Sequence, residues 1–222
     1  MRVIAGEARG RSLLAPRSTD TRPTTDRVKE AMFSAVESIL ARARPDAAIG
    51  SEEPWEGLRV LDLYAGTGAL GIEALSRGAA EATFVESSKT AAITLQRNID
   101  ATGFVDRSKV RVLDVRVAVA TIAGPVDLIL IDPPYASDAA LAVIATCADA
   151  SWMAYDAILV LEHDRRLAPP AKLGNLVLQR TRIYGSSGLT IFCRGRYDRT
   201  QDTVTHEEIA ESLVPTSLEG MQ

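Results

Sequence analysis

Four consecutive residues could hold and activate an aromatic amine. Asp132, Pro133, Pro134 and Tyr135 follow the apolar run VDLILI of residues 126–131. The Asp132 carboxylate and the Pro133 carbonyl could accept the two hydrogens of an exocyclic NH2 group and direct its lone pair at an incoming methyl group, and Asp132 could take up the released proton. The prolines restrict φ and lack N–H groups, which keeps the turn stiff, and Tyr135 could stack on a base. The motif therefore predicts methyl transfer to a nucleobase amine.

A glycine-rich loop earlier in the chain could hold an adenosine cofactor. In LDLYAGTGALG, Gly66, Gly68 and Gly71 match the dinucleotide-binding spacing GxGxxG, and Glu86 follows at the distance of a ribose-binding acid. This spacing alone fits both an NAD(P) dehydrogenase and an enzyme that uses S-adenosylmethionine (SAM). Asp62 favours SAM, because a carboxylate beside the loop could face the methionine ammonium but would repel a pyrophosphate. Hydride transfer also has no use for the Asp-Pro-Pro-Tyr motif, so the sequence predicts SAM.

Strands and helices alternate around these motifs. The predicted strands cover residues 58–64, 81–86, 109–114, 126–132 and 157–163. One predicted helix follows the glycine loop and ends near residue 76, two others cover residues 89–101 and 138–148, and a short helix follows residue 114. A final pair, 176–185 and 188–194, is typical of an antiparallel hairpin. Near-continuous apolar strands separated by helices predict an α/β fold with a mostly parallel sheet covered on both faces. Ligands bind beyond the carboxyl ends of the strands in such sheets. Four acids lie at those ends: Asp62, Glu86, Asp114 and Asp132.

The chain has a basic beginning and an acidic end. Its 222 residues are 46% apolar and 24% charged, which suits one globular domain with a small appendage. The net charge of −4 hides an asymmetry, because residues 1–30 carry seven Lys or Arg against four acids, whereas residues 200–222 carry five acids and neither Lys nor Arg. We expect a basic arm or hairpin with a helix at 1–50, a SAM-binding core at 51–199, and an acidic, disordered tail at 200–222.

The N-terminal region has a hairpin-like pattern and then a helical one. Residues 1–20 alternate short apolar and basic stretches, as in a hairpin or an extended arm. From Thr24 onward, apolar residues recur at spacings of three and four: Val28, Met32, Phe33, Val36, Ile39 and Leu40. A basic arm is typical of contact with nucleic-acid phosphates, although a solvated face would carry the same charges.

The sequence shows no sign of a membrane span, a secretion signal or a metal site. No apolar run approaches the roughly 18 residues of a span, and the N-terminus has no apolar stretch of signal type. Cys147 and Cys193 form no CxxC pair, so we expect a reduced, cytoplasmic protein without a disulfide or structural zinc. For Glu162, His163 and Asp164, a solvated strand end is favoured over a metal or acid–base cluster.

Five segments of the chain resemble one family in order and spacing. They are MRVIAGEARGRSL, RPTTDRVKEAMFS, VLDLYAGTGALGIEALSRGA, FVE and LIDPPY. They are similar to the RsmD family of bacterial 16S rRNA (guanine-N2)-methyltransferases, and the match extends to about residue 195. The resemblance implies a Rossmann-like class I methyltransferase fold with seven strands, an antiparallel C-terminal hairpin and a small N-terminal extension. It also implies SAM as methyl donor and a guanine in an assembled or partly assembled 30S subunit as the target. We further expect no metal and a monomer.

The resemblance also implies roles for individual residues. Gly66 and Gly68 would line the methionine end of SAM, Glu86 would bind the ribose hydroxyls, and Asp114 would accept from the adenine amine. The full set expected to bind the cofactor is Asp62, Tyr64, Ala65, Gly66, Gly68, Glu86, Asp114 and Val115. The catalytic set is Asp132, Pro133, Pro134 and Tyr135. The set expected to contact RNA is Arg2, Arg9, Arg11, Arg22, Thr24 and Arg27.

Some alternatives stay open at this point. Asp-Pro-Pro-Tyr also serves adenine-N6 methyltransferases of DNA or RNA, and an rRNA-binding assembly factor could keep the same fold without turnover. Members of the family commonly carry Lys and Trp where this chain has Glu7 and Ala8. Five arginines near the C-terminal hairpin could extend an RNA surface or only solvate an edge strand. They are Arg180, Arg182, Arg194, Arg196 and Arg199.

Overall fold

The computed structural model of the 222-residue chain describes residues 1–15, 26–43, 54–133 and 138–195. Within these ranges the strands are β1 (Arg59–Leu63), β2 (Glu81–Val85), β3 (Ser108–Arg111), β4 (Val126–Ile131), β5 (Met153–Asp164), β6 (Lys172–Leu173), β7 (Leu176–Tyr184) and β8 (Ser187–Arg194). The α-helices are α1 (Asp26–Ala43), α2 (Ala69–Ser76), α3 (Lys89–Thr102), α4 (Val115–Val119) and α5 (Asp138–Ala148), and a 3-10 turn covers Val105–Arg107.

All eight described strands form one sheet in the order β3-β2-β1-β4-β5-β8-β7-β6. The strands from β3 to β5 in this order pair in parallel, and β8 is antiparallel to both β5 and β7. The predicted α/β fold with its mostly parallel sheet and antiparallel hairpin is therefore confirmed. The expectation of seven strands omitted β6, because a strand of two residues is too short to show a period.

The predicted element bounds hold to within a few residues, and β5 is the largest exception. This strand begins at Met153, whereas the prediction began at residue 157. Residues 155–156 are exposed, so the first part of β5 lacks the apolar run that marks the rest. The register of β5 against β4 also shifts between Val126 and Leu128, so the pairing of the two strands is irregular beside this extension.

Helices cover both faces of the sheet. On one face, α1, α2 and α3 pack on alternate strand residues such as Leu128, Leu130 and Val160. On the other face, α4 and α5 pack on the intervening residues, including Ile129 and Ile131. The predicted apolar stripe of α1 is confirmed, since all six of its members are buried: Val28, Met32, Phe33, Val36, Ile39 and Leu40.

Residues 1–15 form a short hairpin, which we call the N-terminal arm. The Val3 N–H donates to the Arg11 carbonyl (3.0 Å), and the Gly10 N–H donates to the Val3 carbonyl (2.9 Å). Val3, Ala8 and Leu13 are buried against the rest of the protein. Glu7 accepts from the Arg107 guanidinium at 2.7 Å. Both positions that depart from the family pattern therefore contact the rest of the protein: Ala8 packs in the core, and Glu7 pairs with Arg107 of the 3-10 turn.

A buried ionic network anchors the N-terminal arm to α2. The Glu73 carboxylate accepts from the backbone N–H groups of Ile4 (2.8 Å) and Ala5 (3.0 Å). Lys29 of α1 lies 3.1 Å from the same carboxylate and donates to the Arg2 carbonyl at 2.6 Å. The side chains of Lys29 and Glu73 are at most 1% exposed, and Arg77 is a second cation 3.1 Å from the Glu73 carboxylate, so these buried charges compensate one another. The arm is thus fixed to the helix that begins at the glycine loop.

No helix among the described ranges is both long and apolar enough to cross a membrane. Cys147 and Cys193 are free and buried, and burial raises the pKa of each thiol to about 12.

Candidate active site

Three acids lie at the carboxyl ends of neighbouring strands. Asp62 is the fourth residue of β1, Glu86 follows β2 and Asp132 follows β4, and these strands are adjacent in the order β2-β1-β4. Burial raises the pKa of Asp62 from 3.8 to about 7, a hydrogen bond from Gly71 opposes the shift, and the charges of Asp132 and Glu86 add to it. The three carboxylates therefore interact, which makes this edge of the sheet a region of negative potential.

The glycine loop after β1 has a strained backbone and a free space beside it. Tyr64 has a φ of 62°, a left-handed conformation that costs a residue with a side chain about 1–3 kcal/mol and is most often found at functional sites. Apart from its chain neighbours, a Cβ added to Gly66 would meet only the Tyr64 carbonyl oxygen among the described residues, at 3.9 Å. The missing side chain at Gly66 thus leaves room for a ligand to approach the loop.

The other two glycines of the loop are required by packing. A Cβ at Gly68 would lie 2.3 Å from the Leu95 side chain, and a Cβ at Gly71 would lie 2.3 Å from the Phe84 ring. Both glycines allow α2 to pack closely on the sheet and on α3. The expectation that Gly68 lines the cofactor stays a prediction, and the structure provides a separate reason for a glycine there.

Two N–H groups of the loop are bound to carboxylates. The Gly71 N–H donates to Asp62 Oδ2 and the Gly66 N–H donates to Glu86 Oε2, each at 2.9 Å. In a dinucleotide site such N–H groups would hold the pyrophosphate. Here they are taken by negative groups, which would repel phosphates and attract a cation. The residues at this edge therefore fit SAM, whose ammonium and sulfonium are both positive, better than NAD(P).

Asp114 and Val115 lie at the start of α4, beyond the end of β3. The Asp114 carboxylate accepts from the Arg116 N–H (2.9 Å) and pairs with the Arg116 guanidinium (2.9 Å), and these bonds lower the pKa of Asp114. Val115 is buried in the core. Burial raises the pKa of Tyr64, and the charge of Asp114 adds to that shift, so Asp114 lies near the glycine loop. Its contact with an adenine amine stays a prediction.

Of the remaining predicted cofactor and catalytic residues, the structure describes Ala65, Asp132 and Pro133. The Ala65 N–H donates to the Val85 carbonyl at 2.9 Å, which ties the loop to the end of β2. Asp132 and Pro133 are partly exposed at the end of β4. Pro134 and Tyr135 lie outside the described residues, so their predicted roles in holding and stacking on a base are not described.

The arginines predicted to contact RNA are on the surface where the structure describes them. Arg2, Arg9, Arg11 and Arg27 are exposed, and Arg22 and Thr24 lie outside the described residues. Two of the exposed arginines also make contacts within the protein, since Arg2 pairs with Asp26 at 3.3 Å and Arg11 donates to the Ala101 carbonyl at 2.7 Å.

The predictions near the C-terminal hairpin need one correction. The prediction of a solvated strand end is wrong for Glu162 and His163, which are both buried, whereas Asp164 is partly exposed. The His163 ring nitrogens Nδ1 and Nε2 are each 2.8 Å from an oxygen, the Asp164 carbonyl and the Thr190 hydroxyl, respectively. Arg194 donates to the carbonyls of Ala150 and Met153, which gives it a structural contact. Arg182 is exposed, and Arg196 and Arg199 lie outside the described ranges. In the part of the chain that is described, no group of three His, Cys, Asp or Glu residues could hold a metal ion.

Sequence reasoning missed a buried amide that joins the N-terminal arm to the glycine loop. Asn98 of α3 accepts from the Leu14 N–H (2.8 Å) and donates to the carbonyls of Thr67 (2.9 Å) and Leu14 (3.2 Å). The available signal was a polar residue between Leu95 and Ile99 on the apolar face of α3. The same kind of signal, a glutamate inside the apolar helix ALGIEALS, was present at Glu73.

Three comparisons identify similar proteins. The family model described as conserved hypothetical protein 95 matches residues 1–193. The chain is 35% identical over 195 residues to "Putative rRNA methyltransferase YlbH" of Bacillus subtilis, and the match covers 86% of this chain and 98% of that protein. It is 30% identical over 194 residues to "Ribosomal RNA small subunit methyltransferase D" of Escherichia coli K12, covering 87% and 90%. The solved structure of "Putative methyltransferase yhhF" from Escherichia coli has a TM-score of 0.72 at 29% identity, covering 89% of this chain and 99% of that chain.

Proposed function

The chain belongs to the family described as conserved hypothetical protein 95, and on this premise we propose that it methylates the N2 amine of a guanine in 16S rRNA, with SAM as the donor. Two similar proteins carry names that specify ribosomal RNA methylation, and one of these names specifies the small subunit. The N2 position and a 30S particle as substrate go beyond those names and rest on the family resemblance and on the chemistry of the site.

One observation carries the proposal: two N–H groups of the glycine loop donate to carboxylates, and a third carboxylate lies close to these two. Asp62 and Glu86 occupy the N–H groups of Gly71 and Gly66, and the charge of Asp132 is close enough to raise the pKa of Asp62. This arrangement supports a cationic cofactor next to the group that would hold the amine.

Each acid would have a separate task. Asp62 would face the methionine ammonium, and Glu86 would accept from the ribose hydroxyls. When bound, SAM supplies the electrophilic methyl group of its sulfonium. Asp132 and the Pro133 carbonyl would hold the hydrogens of the amine, and Asp132 would oppose the positive charge that develops on nitrogen and accept the released proton. Alignment of the amine with the methyl group would supply much of the rate.

Transfer of a tritiated methyl group from SAM to 16S rRNA tests this function. The rRNA is offered free and within 30S particles, and the labelled nucleoside is then identified. We expect N2-methylguanosine, with transfer reduced at least about 100-fold in Asp132→Ala because both the hydrogen-bond acceptor and its charge are lost. Asp100→Ala is the matched control, since Asp100 is an exposed acid of α3.

Each outcome separates the possible functions. Methylated adenine as the only product would replace the guanine proposal by adenine-N6 methylation. Full transfer in Asp132→Ala would remove Asp132 from catalysis. If no RNA were methylated and adenosylhomocysteine were not bound in calorimetry, an assembly factor would be favoured over an enzyme.

We propose that the N-terminal arm contacts phosphates of the rRNA and that the protein acts as a monomer in the cytoplasm, where ribosomal subunits are assembled. Exposure of Arg2, Arg9 and Arg11 supports this role for the arm, and such contacts should weaken as the salt concentration rises. We also propose that residues 51–199 form the SAM-binding catalytic core, that residues 1–50 form the arm and its helix, and that the acidic tail at 200–222 is dispensable. A chain ending at Gly195 should therefore retain full activity, and its inactivity would contradict this.

A further inference from the structure

Glu162 lies beside the proposed catalytic acid at the same edge of the sheet. β4 and β5 are parallel neighbours, and their last paired residues are Ile131 and Leu161. The next residue along each strand is Asp132 and Glu162, respectively. Neighbouring strands are about 4.8 Å apart, so the two acids leave the sheet at adjacent positions.

The two acids also share a face of the sheet. Ile131 and Leu161 pack in the core layer under α4 and α5. Since successive side chains of a strand alternate between faces, Glu162 points to the opposite face, which carries α1, α2 and α3. Asp62 lies on that face as well, because Leu61 and Leu63 on either side of it belong to the layer under α4 and α5. The charge of Asp132 raises the pKa of Asp62, which agrees with Asp132 lying on the same side.

Glu162 is only 9% exposed, although it is near the end of a strand where acids are usually solvated. Burying a carboxylate is costly unless hydrogen-bond donors compensate for the lost water. A carboxylate has about four acceptor positions, so one that already interacts with protein groups can still accept from a ligand. A nucleobase held by Asp132 would bring such donors to this position.

We propose that Glu162 determines specificity by accepting the N1–H of the target guanine while Asp132 holds the adjacent N2 amine. This inference rests on the proposed guanine-N2 function and deepens it. In guanine the N1–H and the N2 amine are neighbouring donors, which matches two carboxylates on adjacent strands. Adenine has an unprotonated N1 beside its amine, and its lone pair would face the Glu162 carboxylate. The site would therefore reject adenine by repulsion as well as by a missing hydrogen bond.

A guanine analogue without N1–H tests this directly. 2-Aminopurine keeps the exocyclic amine at C2, but its N1 is an acceptor. Small-subunit particles are assembled with either guanine or 2-aminopurine at the methylated position, and kcat/KM for methyl transfer is measured on both. The enzyme is compared with its Glu162→Gln variant, whose amide can donate to an unprotonated N1. Asp156→Asn is the matched control, because Asp156 is an exposed acid at the other end of β5.

We expect the unmodified enzyme to prefer guanine and Glu162→Gln to lower the guanine to 2-aminopurine ratio by about 10- to 100-fold, the effect of one hydrogen bond to a charged group. The loss of O6 in the analogue affects both enzymes equally and cancels in this comparison. A ratio that stays the same while both rates fall would assign Glu162 a structural role and overturn the inference. A lack of preference in the unmodified enzyme would overturn it without reference to any variant. An enzyme that methylates no guanine at all would instead refute the proposed function, and this inference with it.

Discussion

Cofactor binding should depend on pH, because Asp62 must be ionised to face a cation. Burial raises the pKa of Asp62 from 3.8 to about 7, with further contributions from the charges of Asp132 and Glu86. At neutral pH the free protein therefore holds Asp62 about half protonated. The ammonium of the cofactor favours the ionised form, so binding lowers the pKa of Asp62 and releases its proton.

The size of this effect follows from the pKa. Below about pH 7, affinity for the cofactor should fall about tenfold for each pH unit, and above it the affinity should level off. Near pH 6 binding should release close to one proton, which calorimetry in two buffers of different ionisation enthalpy can measure. Adenosylhomocysteine serves as the ligand between pH 5.5 and 7, where its amino group stays protonated.

The same residue links the stability of the free protein to pH. The folded protein holds the Asp62 proton between pH 3.8 and about 7, whereas the unfolded chain does not. The contribution of Asp62 to the free energy of unfolding is therefore largest below pH 3.8 and is lost as the pH rises to about 7. The difference corresponds to about 4 kcal/mol.

Asp62→Asn separates these effects from those of other groups. The variant should bind adenosylhomocysteine more weakly at pH 7, without the tenfold dependence on pH, and its free energy of unfolding should lose the Asp62 component between pH 4 and 7. Asp100→Asn, on the exposed surface of α3, should leave both profiles unchanged. A flat affinity profile in the unmodified protein, or an equal slope in Asp62→Asn, would refute this account of Asp62.

Three further substitutions, Lys29→Met, Gly6→Ala and Gly10→Ala, test how the N-terminal arm is held. Lys29→Met removes one of the two cations that compensate the buried Glu73 carboxylate and leaves Arg77, whose Nε is 3.1 Å from it, so the free energy of unfolding in urea should fall, but by less than the ~3–5 kcal/mol of a fully broken buried pair; Glu73→Gln in the same chain should recover part of this loss, and strictly additive losses would contradict the pairing. Gly6 and Gly10 have φ values of 79° and 83°. A Cβ at Gly6 would lie 1.7 Å from the Ser76 carbonyl oxygen, whereas a Cβ at Gly10 would meet no described residue within 4 Å beyond its chain neighbours. Gly10→Ala should therefore cost only the left-handed strain of about 1–2 kcal/mol, and Gly6→Ala should cost more and increase proteolysis of the arm; equal losses would show that the arm is not docked there.

Local sequence patterns were sufficient for the elements and for the edge of the sheet that holds the site. Apolar periods of two and of three to four residues located strands and helices such as β4 and α5, because these periods follow from the geometry of each element. The positions of Asp62, Glu86 and Asp132 at strand ends followed from the same periods and from the rule that parallel sheets bind ligands at their carboxyl edge. The sequence patterns did not predict the short β6 or the exposed start of β5, because neither has a local apolar signal.

The sequence alone thus determined the fold class, the order of the motifs and the acids that meet at one edge. Only the tertiary structure decided which distant groups compensate one another. Glu73 binds Ile4 and Ala5 of the arm, which are 69 and 68 residues away in the sequence. Asn98 binds both Leu14 and Thr67, which are 84 and 31 residues away. The neighbourhood of Glu162 and Asp132 likewise depends on the register between β4 and β5. The physical reason is that a hydrogen bond or ion pair between distant segments leaves no periodic trace in either of them, whereas burial of an apolar face repeats with every turn or pleat.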